Sequence, residues 1–296
     1  MTKIQERDDQ IGRVTVHSES EYERYASMTA EEKQEFLRLE YEERDATDPY
    51  ATSRDYNARE LEILAIKRAL VGPGLVLDLG CGNGYTLLAL GAELEGFDLT
   101  GIDFSPNLID GAHRLRKARR AELKSVPDFI EGDAIAYLAE TTDASLDYVI
   151  TERFIQNMPS RDVQLRVLGE IHRVLRPGGR LLMCEGSATG FEALNGMRAA
   201  LGLPVIPATS AENVSAIRFD DADIERYAVN ELGFELVDKN GFSTFFLIAR
   251  VLHPLLVAPD SPRFDAPIND FARQIQEHAP MDPGFGSNNL WVLQKS

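Results

Sequence analysis

The run VLDLGCGNGYTL, residues 76–87, restricts the fold of this chain more than any other stretch. An apolar strand pattern ends in Gly80, Gly82 and Gly84, and an apolar helical pattern begins at about Tyr85. Glycines at a strand end let the backbone turn tightly and let a ligand reach the amides without Cβ obstruction. The helix that follows offers free N–H groups and the positive end of its dipole. From Leu75 onward short apolar runs alternate with helical patterns. Strands are expected at LVLDLG, LTGIDF, DFIEGD, LDYVITE and RLLMCEG, with helices between them at SPNLIDGAHRLRKA and SRDVQLRVLGEIHRVL. In the last of these Val163, Val167, Ile171 and Val174 recur at helical spacing. Strand–helix alternation implies a doubly wound parallel sheet with right-handed crossovers. Such sheets bind ligands at the carboxyl ends of their strands, near the switch point.

The flanks read differently. Residues 1–58 are polar and acidic, with a capping box of Thr29 and Glu32 opening the helix TAEEKQEFLRLEYEE. Phe36, Leu37 and Leu39 give that helix a narrow apolar stripe, and a second helix is expected over about residues 55–70. We expect 1–58 to form a helical lid and 59–296 a single binding domain. Within that domain, residues 187–220 exceed a plain crossover and are expected to be an insertion over the site. A helix at DDADIERYAVNELG, a strand at FELVDKN and a final strand at NNLWVLQKS complete the pattern, and FFLIARVLHPLLVA reads as a buried helix.

Charge narrows the partners. With 31 basic against 48 acidic residues, the net charge of −17 opposes a nucleic-acid partner. The basic stretch HRLRKARRAELK reads as the solvated face of a helix. No window reaches the roughly 18 apolar residues of a membrane helix, so no membrane partner is expected. MTKIQERDDQ lacks the apolar core of a secretory signal. Cys81 and Cys184 are too few for a disulfide framework, which fits a cytoplasmic setting. A homodimer is compatible with the sequence.

A glycine loop of this kind serves two site types. A dinucleotide site wants G-x-G-x-x-G, and here Tyr85 stands where the third glycine should be. The downstream motifs turn the balance. VLDLGCGNG, the acid Asp103 in GIDFS about 20 residues on, EGDA with Asp133 and Ala134, and LRPGG at 175–179 occur in order. Over residues 74–186 this set resembles the class I S-adenosylmethionine (SAM)-dependent methyltransferases. The fold so implied is α/β, a doubly wound seven-stranded mostly parallel sheet, here with the N-terminal helical lid and an insertion after strand 5.

The resemblance assigns the SAM contacts. Gly80, Cys81 and Gly82 would wrap the methionine and ribose, and Asp103 would accept from the ribose hydroxyls, as a carboxylate can from a vicinal diol. Phe104 follows Asp103, Asp133 would accept from the adenine amino group, and Ala134 would offer its N–H. Asp78 would lie near the cofactor's amino group or else stiffen the turn. Thr151, with Arg54, Tyr56 and Arg59 on the preceding helix, would lie near the methionine moiety. Methyl transfer from a sulfonium is an in-line displacement that needs a nucleophile aligned in a dry site. Glu152 and Glu185, at the ends of the fourth and fifth strands, are the candidate catalytic acids, Glu152 first. Arg153, Asn157, Asn195, Arg198 and Asn213 are candidate substrate contacts, and His172 and His253 read as packing residues. No catalytic metal is expected, since no Asp-Asn pair follows the fourth strand. The leading expectation is transfer to a hydroxyl of a small molecule such as a sugar or secondary metabolite, with N-methylation close behind. A nicotinamide-dependent oxidoreductase and a catalytically silent SAM-fold subunit are the other classes.

Overall fold

The apolar runs assemble into one seven-stranded sheet of order β3-β2-β1-β4-β5-β7-β6. The computed structural model describes residues 19–48, 50–207 and 215–296. β1 (Leu75–Leu79), β2 (Asp98–Asp103), β3 (Asp128–Glu131), β4 (Leu146–Glu152) and β5 (Leu175–Gly186) are parallel. β7 (Asn288–Lys295) lies between β5 and β6 (Phe234–Gly241), antiparallel to both. The chain winds one way from β1 to β3 and the other way from β4, so a crevice opens beyond the ends of β1 and β4. Both central strands are apolar on two faces, with Leu79, Val149 and Ile150 fully buried, as a sheet covered on both sides requires.

Helices α1 (Glu19–Ser27), α2 (Ala30–Glu42) and α3 (Tyr56–Ala69) precede β1. α4 (Tyr85–Glu93), α5 (Pro106–Ala118), α6 (Ala134–Glu140), α7 (Arg161–Val174) and α8 (Ala188–Ala200) follow β1 to β5 in turn. Short polar residues start most of them: Ser105, Ser160 and Ser187 each accept from a backbone N–H three residues on. One core, with Leu61, Ile66, Leu87 and Phe245, fills one face of the sheet. The other face holds Leu138, Val167, Ile171 and Trp291. Of the stripe expected on α7, Val167, Ile171 and Val174 are buried on the sheet, and Val163 turns toward the crevice.

Several elements differ from the sequence reading. LRPGG is the bulged start of β5, with Leu175 paired to Leu146 before the register shifts and Gly178 left-handed at φ 79°. A domain boundary at 58/59 cuts α3, whose Leu61 and Ile66 belong to the main core. FFLIARVLHPLLVA is not fully buried: α10 (Ser243–Leu247), a π-helical segment and α11 (His253–Val257) leave Leu247, Leu252 and Leu256 exposed. The excursion between β6 and β7 also carries α12 (Pro267–His278), and α9 (Asp221–Arg226) precedes β6. After β5, the segment 215–219 crosses the ends of β4 and β5, where the Ile217 N–H donates to the Gln156 carbonyl. Among the described residues no helix is long and apolar enough to cross a membrane.

Candidate functional site

At the switch point the glycine loop forms the floor of a cavity of about 290 Å3. Gly80 and Gly84 are left-handed, at φ 71° and 72°. A Cβ on Gly80 would run into the Phe154 ring, and one on Gly84 into the Phe129 ring. Asp103 ends β2 and ties the loop down: its two oxygens accept from the N–H groups of Gly82 and Ser105, each at 2.9 Å. Burial pushes the Asp103 carboxyl up to about 6, against those two bonds. Asp133 caps α6, accepting from the N–H groups of Ile135 at 2.7 Å and Ala136 at 3.1 Å. Phe104, Leu108, Ala134 and Ile135 make an apolar slot between the two acids.

α2 forms the roof. Its Ala30, Leu37 and Tyr41 line the cavity, and the Gln34 amide donates to the second Asp133 oxygen at 2.8 Å. The other end of α2 is fixed on α5, where Ser105 donates to the Glu42 carboxylate and Asn107 to the Glu42 and Arg44 carbonyls.

Beneath the far end of the cavity sits a buried charge cluster. Glu152 accepts from the Thr86 hydroxyl at 2.5 Å and from Arg153 at 2.9 Å, and Arg59 approaches it at 3.7 Å. Arg153 also donates to Glu62 of α3, which accepts from Asn288 at 2.6 Å. Burial works against ionisation of Glu152, but Arg153 and Arg59 outweigh it and hold its carboxyl below the usual range. Asp78 lines the cavity beside this cluster; burial, with the Glu152 charge adding to it, pushes its carboxyl well up. Arg153 follows β4 in the left-handed region at φ 57°, a conformation costly for a side chain with a Cβ and typical of functional sites.

The structure gathers Arg59, Asp78, Gly80, Cys81, Gly82, Asp103, Phe104, Asp133, Ala134, Glu152, Arg153 and Asn157 around this one cavity. Other candidates turn elsewhere. Arg54 does not line the cavity, and neither does Tyr56, whose hydroxyl donates to Asp270 at 2.7 Å. Thr151 is buried inside β4. Glu185 is walled off, its carboxylate accepting from the backbone N–H groups of Phe154, Ile155 and Gln156. It shapes the loop after β4 and does not reach the cavity.

Arg153 has its guanidinium taken by Glu62 and Glu152, so it is not available as an anion clamp. Asn157 reaches the cavity wall but is bonded to the Arg153 carbonyl and the Ser215 hydroxyl, which leaves it little capacity to orient an acceptor. Asn195 bonds Ile206 through both N–H and carbonyl, and Arg198 donates to the carbonyls of Pro204 and Arg250. Both organise the chain after α8 and do not contact the cavity. Asn213 lies outside the described residues, and none of the described residues of 187–220 lines the cavity. His172 stacks edge-on against Phe234, and His253 is buried, as packing residues. Thr52, Thr86, Gln34 and Met158 line the site without having been anticipated. Only Thr86, at the first turn of the helix after the glycine loop, carried a positional signal.

Residues 74–201 match the family of methyltransferase domains. The fold and the cavity at its switch point accord with this match, and residues 74–201 carry a SAM-dependent methyltransferase domain. The chain is 29% identical over 183 residues to the demethylmenaquinone methyltransferase of Thermus thermophilus, covering 61% of this chain and 78% of that protein. It is 28% identical over 187 residues to a ubiquinone/menaquinone biosynthesis C-methyltransferase of Syntrophotalea carbinolica, covering 62% and 75%. Among solved structures, a SAM-dependent methyltransferase from Archaeoglobus fulgidus aligns with TM-score 0.51 at 18% identity, over 80% of this chain and 94% of that one. One from Methanosarcina mazei aligns with TM-score 0.50 at 17% identity, over 78% and 96%. At such identities the structural likeness is one of fold.

Proposed function

We propose that the enzyme methylates a ring carbon of a small, apolar, electron-rich aromatic acceptor of the hydroquinone kind. The observation that supports this most is the state of the two acids. Glu152 is held ionised by two arginines and a threonine, and Glu185 is sealed behind three backbone N–H groups. A hydroxyl or amine acceptor benefits from a base at the reacting atom. A hydroquinone anion places its nucleophilic density on a ring carbon by itself, and the displaced ring proton leaves to solvent. The walls agree, since Leu37, Phe154, Met158, Pro159 and Val163 offer a ring apolar contact and exclude water. The relatives named for demethylmenaquinone and for C-methylation support the same reading, and the sugar-hydroxyl acceptor gains no comparable support.

The residues of the cavity fit the cofactor. When bound, SAM supplies a methyl group on a sulfonium. Asp103 would accept from the ribose hydroxyls, and Asp133 from the adenine amino group. Phe104, Leu108 and Ile135 would enclose the adenine ring. Asp78 and Glu152 would face the ammonium, and Arg59 the carboxylate. The left-handed glycines hold the loop in its tight turn, where a Cβ would meet the Phe154 and Phe129 rings. Of residues 1–58, α2 acts in this reading as the lid closing over the cofactor, and α3 with the chain beyond it as the binding domain. Incubating the enzyme with SAM and naphthohydroquinone and assigning the product by NMR tests the acceptor. A C-methyl product is expected. A methyl ether would move the reading to oxygen, and no turnover with naphtho- or benzohydroquinone would overturn it.

A further inference from the structure

Glu62 is fully buried in the middle of α3, behind the cavity wall. An unpartnered charge in such a place would be strongly unfavourable, so its partners matter. One oxygen accepts from Asn288 at the start of β7 and the other from Arg153 beyond β4. Arg153 in turn donates to Glu152, whose second oxygen takes the Thr86 hydroxyl at the first turn of α4. A continuous chain of hydrogen bonds therefore runs from Asn288 through Glu62 and Arg153 to Glu152 on the cavity wall. Freed from Glu62, the Arg153 guanidinium could swing toward the cavity and bring a positive charge to the donor's sulfonium end. Two arginines, Arg59 and Arg153, stand against the two carboxylates Glu62 and Glu152, so the loss of the Glu62 charge leaves the cluster positive.

We infer that Glu62 is a positioning residue for the methyl donor: acting through Arg153, it keeps the Glu152 carboxylate facing the cavity, and its negative charge makes the site prefer SAM over S-adenosylhomocysteine. The inference rests on the cavity being the donor site, as proposed above. The two ligands share the ammonium, carboxylate and adenosine, and differ by the methyl and its sulfonium charge. A field of one buried charge acts on that difference, and at the effective dielectric of such sites it amounts to about tenfold in relative affinity.

The groups facing Glu62 are Arg59 on its own helix, Glu152 and Arg153 from β4, Cys184 from β5 and Asn288 from β7. Burial raises the Glu62 carboxyl to about 7, Arg153 and Asn288 pulling it down and Glu152 pushing it up. The preference for SAM is therefore present above that value and lost below it.

Calorimetric titration of the full chain with SAM and with S-adenosylhomocysteine, about one unit below and about one unit above that midpoint, tests this. The ratio of the two affinities removes the titration of Asp103, which faces the shared ribose. In the wild type the preference for SAM should grow about fivefold between the two conditions, as Glu62 goes from about one-tenth to about nine-tenths ionised. In Glu62→Gln it should stay at its low-pH value in both. A wild-type ratio that does not move, or a Glu62→Gln variant that keeps the wild-type growth, overturns the inference. Should Glu62→Gln fail to fold, Asn288→Ala decides. It removes a bond that favours the ionised form, so the pH at which the preference appears should move up. An unmoved transition overturns the inference. A wild type that binds neither ligand instead overturns the donor-site reading itself.

Discussion

At the end of β4 a carboxylate that the sequence offers as a base is surrounded by Thr86, Arg153 and Arg59. Those neighbours hold it ionised with one hydrogen bond on each oxygen, which makes it a poor proton acceptor and leaves it a good partner for a bound cation. Glu152→Gln should accordingly raise the dissociation constant for SAM by about tenfold or more, since bonds to a charged group contribute roughly 1.5–3 kcal/mol. Turnover at saturating SAM should fall by less than about threefold. A hundredfold loss of turnover with unchanged SAM affinity would restore the base. Asp103→Ala should also weaken SAM by more than about tenfold, because it removes both the diol acceptor and the anchor of the Gly82 N–H; unchanged affinity in the folded variant would exclude the residue from the site. The motif residues were legible because glycine spacing and strand-end acids are local features. Glu185 was not: its partners are the amides of residues 154–156, about thirty positions away, which only the sheet brings beside it.

Among the elements, α2 and α12 show opposite degrees of legibility. The capping box of α2 was readable, and both of its bonds are present. No residue of α2 is buried, so little hydrophobic energy holds it; it is tied to the site by Gln34 to Asp133, Glu42 to Ser105 and the edge-on contact of Tyr41 with Phe104. An element with so few buried contacts opens at low cost. Trypsin should therefore cut the free enzyme at Lys33, Arg38 and Arg44, and S-adenosylhomocysteine, by filling the space beneath Leu37, should slow that cleavage about tenfold. Equal rates with and without the ligand would reduce α2 to a tail. α12 carries apolar residues at helical spacing, Ile268, Phe271, Ala272 and Ile275, but that spacing marks the wrong face: Asn269, Ala272 and Gln276 are buried, while Phe271 and Ile275 are exposed. Its burial is driven by side chains that bond backbone: Asn269 donates to the carbonyls of Arg263 and Phe264, and Gln276 accepts from the Phe245 N–H. Apolar periodicity cannot see such a face.

Across the whole molecule, a net charge of −17 is combined with carboxyls buried at the sheet's carboxyl end. Burial raises Asp103 to about 6 and Glu62 and Glu185 to about 7, and raises Asp78 well above its ordinary value. A carboxyl whose folded pKa exceeds its unfolded value, roughly 4, favours the native state in its protonated form. That contribution is complete below the unfolded value and is lost as pH rises through about 6 and about 7. Glu152 acts oppositely: its pKa is lowered, so its contribution is lost as pH falls through the folded value. Self-repulsion of the acidic surface adds to the loss on the alkaline side. The ligand-free enzyme should therefore have its highest melting temperature near pH 5 and lose about 5 °C or more by about pH 8. Salt separates the two causes. At about 0.5 M the surface repulsion is largely screened, whereas the buried carboxyls are not, so most of the decline should persist. A melting temperature that rises from about pH 5 to about pH 8, or a decline that vanishes in salt, would show that the buried acids do not govern the stability of the site.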